Sequence, residues 1–250
     1  MGIEDVVGER GNPMHPERVE VVHDAGVPGR QYVTNDREGL APSLSLGLGT
    51  ATRVTLLGQF TRQDNLPDYG VPGAAWGEPL TPSSVLTTRP VDQSTYYGSP
   101  RYDYDHARQA SGTLRLEHDL GPAWTLRQQV RANETTREAV ITAIQNVAAF
   151  APADETVTFS RQANRRENRV LASQTTLTGR VGSGPWTHAV TLALDALDER
   201  YAAPGIGGAG SRAPASVYAP DPFTPIADFA PTRNGATTGA RTRTRAPSAF

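Results

Sequence analysis

The sequence contains no cysteine and no lysine. Without cysteine there can be no disulfide, no thiolate nucleophile and no Cys-ligated metal. Its basic residues are all arginine, 24 of them against 26 acids. The resulting net charge of −2 gives no basic footprint for nucleic acid, so no nucleic-acid partner is expected. Also absent is any run of the roughly 18 apolar residues that a membrane helix requires. The opening stretch, Met1 to Arg10, carries acids and lacks an apolar centre, so no signal peptide is read there. Plentiful instead are Gly (24) and Pro (20), which favour turns and loops over long helices.

Three pairs of segments with period-two alternation stand out. In the first, Leu40 to Leu48 is joined through Gly49-Thr50-Ala51-Thr52 to Val54 to Thr61. There Val54, Leu56, Gly58 and Phe60 alternate with Thr55, Leu57, Gln59 and Thr61. The second pair sets Gly112, Leu114, Leu116 and His118 against Ser111, Thr113, Arg115 and Glu117. It turns at Asp119-Leu120-Gly121-Pro122 and returns with Trp124, Leu126, Gln128 and Val130 opposite Thr125, Arg127, Gln129 and Arg131. The third runs from Arg169 to Val181, turns at Gly182-Ser183-Gly184-Pro185 and returns from Trp186 to Asp195, with Val190, Leu192 and Leu194 on one face. A helix would ignore this parity; strands obey it.

The connections alternate too. Short turns close each pair, whereas Gln63 to Asp105, Arg137 to Asn168 and everything after Arg200 read as long polar loops. Loops this long are unusual inside a compact soluble domain, and short turns on one side with long loops on the other are the pattern of an outer-membrane barrel. The arginines at 115, 127 and 131 suit a wet lumen, since a dry sandwich core would charge heavily for them. In lipid every backbone polar group needs an internal partner, which leaves only helices and closed barrels. The fold class is therefore all-β: an antiparallel transmembrane β-barrel segment of about six to eight strands with long extracellular loops. Trp124 and Trp186, each just past a short turn, sit where an aromatic girdle would meet the headgroups. One stretch conflicts: Thr135-Thr136-Arg137-Glu138 before Ala139, Val140, Ile141, Ile144 and Val147 resembles a capping box opening a helix, so 138–149 stays open between helix and strand.

Other chemistry finds little support. Gly205-Ile206-Gly207-Gly208-Ala209-Gly210 has the look of a dinucleotide loop, but Pro214, Pro220, Pro222 and Pro225 forbid the helix that must follow. Asp103, Asp105, His106 and His118 match no metal-site spacing. No serine lies in a nucleophile elbow, and His15, His23 and His188 have no triad context. No enzyme, no metal site and no resident cofactor are expected.

Particular runs carry a family resemblance. Ala25-Gly26-Val27-Pro28-Gly29-Arg30 with Gly39-Leu40-Ala41-Pro42-Ser43-Leu44-Ser45-Leu46-Gly47-Leu48-Gly49-Thr50 resembles an early barrel strand of the TonB-dependent siderophore receptors, in the branch with catecholate-type relatives. Pro67-Asp68-Tyr69-Gly70-Val71-Pro72, continuing to Tyr96-Tyr97-Gly98, resembles the first large extracellular loop of that family. Leu116-Glu117-His118-Asp119-Leu120 with Trp124-Thr125-Leu126-Arg127 resembles the next hairpin. Gln174 to Gly179 and His188 to Asp195 resemble the third. Order and spacing match over roughly Ala25 to Tyr201, and more loosely to Ala246.

The resemblance implies a receptor in the cell outer membrane that binds a ferric siderophore outside and releases it inward when TonB pulls on a plug domain. No plug, TonB box or signal peptide is recognised here, so the TonB complex would act only through a plug outside this chain. The resemblance makes this a fragment, about six to eight strands of a larger barrel, divided into 1–35, an N-terminal loop-like segment; 36–200, a partial receptor barrel; and 201–250, a long extracellular loop. Siderophore chelates are anionic and often aromatic, so Tyr69, Trp76, Tyr96, Tyr97 and Arg101 in the first long loop are the expected ligand contacts. Ferric siderophore is then the transported ligand, and outer-membrane lipid the other partner, with Trp124 and Trp186 at the membrane interface. Two alternatives remain: a complete small outer-membrane barrel acting as porin or adhesin, or a soluble β-rich binding domain.

Overall fold

A computed structural model describes residues 17–26, 29–71, 91–144 and 156–249. Eight strands form one antiparallel sheet in the order of the chain: β1 (Glu17–Gly26), β2 (Thr34–Leu46), β3 (Thr52–Leu66), β4 (Tyr104–Asp119), β5 (Trp124–Ile144), β7 (Phe159–Ser183), β8 (Trp186–Gly207) and β10 (Thr232–Ala249). Two short strands, β6 (Thr156–Val157) and β9 (Ala215–Ser216), pair with each other above it. Every connection in the sheet joins neighbours, an up-and-down meander that needs no crossover.

The expected hairpins are present. The turn between β2 and β3 is held by Thr50, whose amide donates to the Gly47 carbonyl (3.0 Å) and whose hydroxyl lies 2.8 Å from the same oxygen. The turn between β7 and β8 is two residues long, since Ser183 pairs with Trp186 across Gly184-Pro185. Gly184 has φ +59°, and a glycine in this left-handed region followed by proline fits a type II′ hairpin, whose twist matches the strands.

Register turns the alternation into two faces. On one, cross-strand rows read Leu116–Gln128–Thr175–Leu194 and His118–Leu126–Leu177–Leu192. Leu40, Leu56, Phe60, Leu114, Leu116, Leu171, Leu192 and Leu194 on this face are all exposed. The opposite face carries the polar set. There Arg53 grips the Asp119 carboxylate with two bonds (2.6 and 2.8 Å), Arg127 pairs with Glu117 (2.6 Å), and Arg115 Nε donates to Gln129 (3.0 Å). Along β4 the polar face is half-buried while the apolar face stands open, as on a curved sheet whose concave side crowds its side chains. Apolar convex and polar concave faces are the reverse of a soluble barrel and the rule for a membrane one.

The strands run further than hydrophobic alternation alone suggests. β5 continues to Ile144, and the capping-box-like Thr135–Glu138 lies within it, paired with Arg165–Asn168 of β7. Tertiary pairing thus overrides the local helix signal through 144; 145–149 lie outside the described residues. Two segments read as loop are corrected in the same way. Glu17–Gly26, inside the segment taken as loop-like, is a strand paired to β2. In 201–250, β8 extends to Gly207 and Thr232–Ala249 forms a strand on β8. Its Thr-Arg-Thr-Arg alternation has no apolar member, so periodicity of hydrophobicity is silent, and backbone pairing supplies the order.

Candidate functional site

Among the described residues, the buried ones gather at the long-loop end of the sheet, in a crown of loops and in Ala139–Ala143 at the end of β5. Val91, Tyr97, Val157 and Val217 form a cluster, with Val71, Ile144, Phe159 and Tyr218 packed against it. The middle of the sheet has no second layer against it among the described residues, so a dry core forms only where loops stack against the strand ends. The loop residues 67–71 and 91–103 and the segment 208–231 meet there with the ends of β5 and β7.

A charged bolt ties these segments together. Ser99 opens a tight turn, its carbonyl accepting from the amides of Tyr102 (2.9 Å) and Asp103 (2.8 Å). The Asp103 carboxylate accepts in turn from the Ser99 amide (2.8 Å), the Thr142 amide (3.1 Å) and the Thr142 hydroxyl (2.8 Å). Its fourth donor is Arg161, and the side chains of this ion pair are 2% and 1% exposed. Arg161 also donates through Nε to the Ala209 carbonyl (3.0 Å). Arg212 crosses the other way: Nη1 donates to the carbonyls of Tyr97 (2.5 Å) and Gly98 (2.8 Å), Nη2 to that of Asp221 (2.9 Å). Its guanidinium stacks 4.1 Å from the centroid of Phe159. Burial lowers the Arg212 pKa, partly countered by the nearby Asp103 charge. None of this bolt was legible as a site: Asp103 matches no metal-site spacing, and Arg161 and Arg212 carry no motif.

The expected ligand contacts separate into three groups. Tyr96 and Tyr97 are each 2% exposed, packed inside the crown with their hydroxyls donating to the Pro67 and Val217 carbonyls. Burial pushes both phenols well above the ordinary tyrosine range, so they remain neutral donors. Their side chains are thus structural in this arrangement, not surface contacts. Tyr69 is 54% exposed, its hydroxyl 3.3 Å from Gln162, and Arg101 is exposed above the ring of Phe223 (5.3 Å). Trp76 lies outside the described residues. Sequence reading missed Tyr32 and Phe223, which pack edge to face (5.5 Å) beside Arg101, while Tyr32 also leans on Tyr96 (5.8 Å). Tyr32 adopts φ +64°, a conformation uncommon for a bulky residue and often found at functional turns. The crown thus offers an open surface of two aromatic rings and one guanidinium.

The residues set aside as metal ligands are otherwise engaged. Asp103 holds Arg161, Asp105 is paired to Arg137 (2.6 Å), and His118 Nδ1 lies 2.8 Å from the Thr52 hydroxyl. Among the described residues no three of these groups converge. Trp124 and Trp186 both lie on the apolar face beside the short turns; Trp186 is 70% exposed, and the Trp124 indole lies flat on Gly179 across the strand pair, where a Cβ would overlap it.

No family model matches the chain. The catecholate siderophore receptor Fiu of Escherichia coli K12 is 32% identical over 241 residues, 92% of this chain and 31% of the receptor. The probable TonB-dependent receptor BfrD of Bordetella pertussis is 32% identical over 167 residues, 66% of this chain and 22% of that protein. In structure, the open form of the E. coli K12 ferric-catecholate import receptor Fiu superposes with a TM-score of 0.83 at 29% identity, covering 98% of this chain and 38% of Fiu. The siderophore receptor PiuA of Acinetobacter baumannii shares the fold, with a TM-score of 0.71 at 20% identity over 96% of this chain and 34% of PiuA. The chain therefore spans about a third of the length of the relatives it matches. Sequence and fold agree that it is a relative of the TonB-dependent siderophore receptors, corresponding to one part of their barrel.

Proposed function

We propose that the chain forms part of the barrel wall and extracellular crown of an outer-membrane receptor that imports a ferric siderophore of catecholate type. It acts in transport and not in catalysis. The observation that carries this reading is the pairing of an apolar convex face with a polar concave one, topped at the long-loop end by a crown that presents Tyr32, Arg101, Phe223 and Tyr69. The ferric catecholate is anionic and flat-ringed; a guanidinium pairs with its charge while aromatic rings stack on its own. Trp124 and Trp186 anchor the opposite rim at the headgroups. On this reading, energy for release comes from TonB acting on a plug domain. The ferric siderophore is cargo, and the wall needs no resident cofactor.

The test is uptake of radiolabelled iron from a ferric catecholate by cells carrying or lacking the coding region. Deletion should abolish the part of uptake that a protonophore also abolishes, and uptake unchanged by deletion refutes the reading. At the finer level, Arg101→Ala and Tyr32→Ala should each weaken ferric-catecholate binding about tenfold, the scale of one cation–π or charge-assisted contact. Unaltered affinity in both would remove this surface from the binding site.

A further inference from the structure

One ion pair joins two loops of the crown. Arg30, in the connection between β1 and β2, places Nε 2.5 Å from Oδ2 of Asp68, in the connection between β3 and β4. The two side chains are 21% and 19% exposed, so the pair stands largely out of water. It is not built for stability alone. Arg30 Nη1 is buried with no hydrogen-bond partner among the described residues, and a buried donor left unsatisfied offsets part of what the pair contributes.

Each partner sits next to an exposed tyrosine. Asp68 Oδ1 accepts from the Gly70 amide (3.1 Å), an Asx turn closed around Tyr69, with Gly70 at φ +90°. Arg30 lies two residues before Tyr32, whose φ of +64° is a backbone state that bulky side chains avoid. Local preference does not hold Tyr32 there, so its neighbours must. The Gln31 amide donates to the Ser94 carbonyl (3.2 Å), and Val33 is pegged inward at 6% exposed. The Tyr32 ring leans on Tyr96 (5.8 Å), whose hydroxyl donates to the carbonyl of Pro67, the residue before Asp68 (3.1 Å). The turn is thus fastened at four successive residues, and Arg30–Asp68 is the charged fastening.

We propose that the Arg30–Asp68 pair is the positioning latch of the ligand surface, keeping Tyr32 in its left-handed turn so that a ferric catecholate meets the Tyr32–Phe223–Arg101 face already formed. Arg30, largely buried, acts through Tyr32 and not by touching the ligand. Without the pair the turn relaxes toward ordinary backbone and the ring leaves Phe223. The binding-competent arrangement is then a minor population, and apparent affinity falls by the fraction lost. That loss is capped by what Tyr32 itself contributes. Tyr69 is held separately, through the Asp68–Gly70 bond, which a change at Arg30 leaves in place. The proposal rests on the ferric-catecholate reading of the crown.

The experiment uses the membrane-extracted protein and follows quenching of its intrinsic fluorescence by ferric dihydroxybenzoate. The native protein is compared with Arg30→Met, Arg30→Lys, Tyr32→Ala and Arg30→Met/Tyr32→Ala, each first checked for heat-modifiable migration. Arg30→Met should weaken binding about threefold to tenfold, the upper bound being the loss at Tyr32 itself. Arg30→Lys, which keeps a cation opposite Asp68, should recover most of that. In the Tyr32→Ala background Arg30→Met should cost nothing further, whereas a general loosening of the crown would lower affinity in both backgrounds alike. Should Arg30→Met fail to fold, Asp68→Asn breaks the same charge pair while keeping an oxygen for the Gly70 amide, and the same dependence on Tyr32 applies. Native affinity in these variants, or equal losses with and without Tyr32, would overturn the latch and leave the ferric-catecholate reading standing. A native protein that does not bind the ferric complex would overturn that reading, and the latch with it.

Discussion

Removing the Asp103 carboxylate should open the crown and leave the wall untouched. In Asp103→Ala, four donors lose their acceptor: the amides of Ser99 and Thr142, the Thr142 hydroxyl and Arg161. The largest loss is the last, because Arg161 is 2% exposed and stays charged with no anion beside it. Breaking a buried ion pair by deleting one partner costs about 3–5 kcal/mol. At about 1.4 kcal/mol per decade, that raises the opening equilibrium by roughly two to three and a half orders of magnitude. Hydrogen exchange of the Ser99 and Thr142 amides reads this directly, since both are protected only through the carboxylate. The amide of Leu114, deep in the ladder between β3 and β5, serves as the internal control. Exchange at Ser99 and Thr142 should accelerate by at least a hundredfold, with Leu114 unchanged. In the double variant Asp103→Leu/Arg161→Met the stranded charge is gone, so part of the loss should be recovered. The two amides remain unsatisfied, at about 1–3 kcal/mol each. Should Asp103→Ala leave crown exchange unaltered, or speed Leu114 as much as Thr142, the crown would not be a separable unit held by this bolt.

Adjacent residues of β8 should respond oppositely to charge. Leu192→Arg places a guanidinium in mid-band on the convex face and should destabilise the membrane-inserted form by about 2–4 kcal/mol, whereas Ala193→Arg on the concave face should cost little; detergent-resistant heat-modifiable migration against temperature measures both, and equal effects would contradict the assigned faces. Gly179→Leu should expel the Trp124 indole from the backbone it lies on, seen as a red shift and increased quenching of indole emission by aqueous iodide. An unshifted spectrum in a folded variant would mean the ring does not rest there. Because the native chain lacks cysteine, single cysteines report sidedness cleanly. Whole cells should label Tyr69→Cys with an impermeant maleimide and spare Ala123→Cys, and surface labelling at 123 would invert the orientation.

What the sequence made legible follows from which physical signal each part of the fold emits. Hairpin centres were readable because both their faces have fixed neighbours: Leu114 and Leu116 toward lipid, Arg115 and Glu117 toward the lumen, so parity is written in the residue types. Past the lipid band that constraint lapses. Glu138 and Arg165, Thr136 and Arg108, and the Thr-Arg run of β10 carry strand geometry through backbone pairing and cross-strand ion pairs, which no alternation of apolar residues announces. Hence the strands were read too short and the loops too long. The crown was opaque for a related reason. Its order comes from contacts between segments more than a hundred residues apart, Tyr97 with Val217 and Arg212 with Gly98 among them. Conspicuous aromatics are therefore ambiguous. Tyr96 and Tyr97 looked like ligand contacts because they are aromatic in a polar loop, yet aromatic residues are also what a loop must bury when it builds its own core. The open aromatic surface is made by Tyr32, Arg101 and Phe223, drawn from three separate stretches of chain. If this surface is where the proposed ligand binds, its shape is set by how the crown closes, and loosening Asp103 should then cost affinity at Arg101 without touching a single residue of that surface.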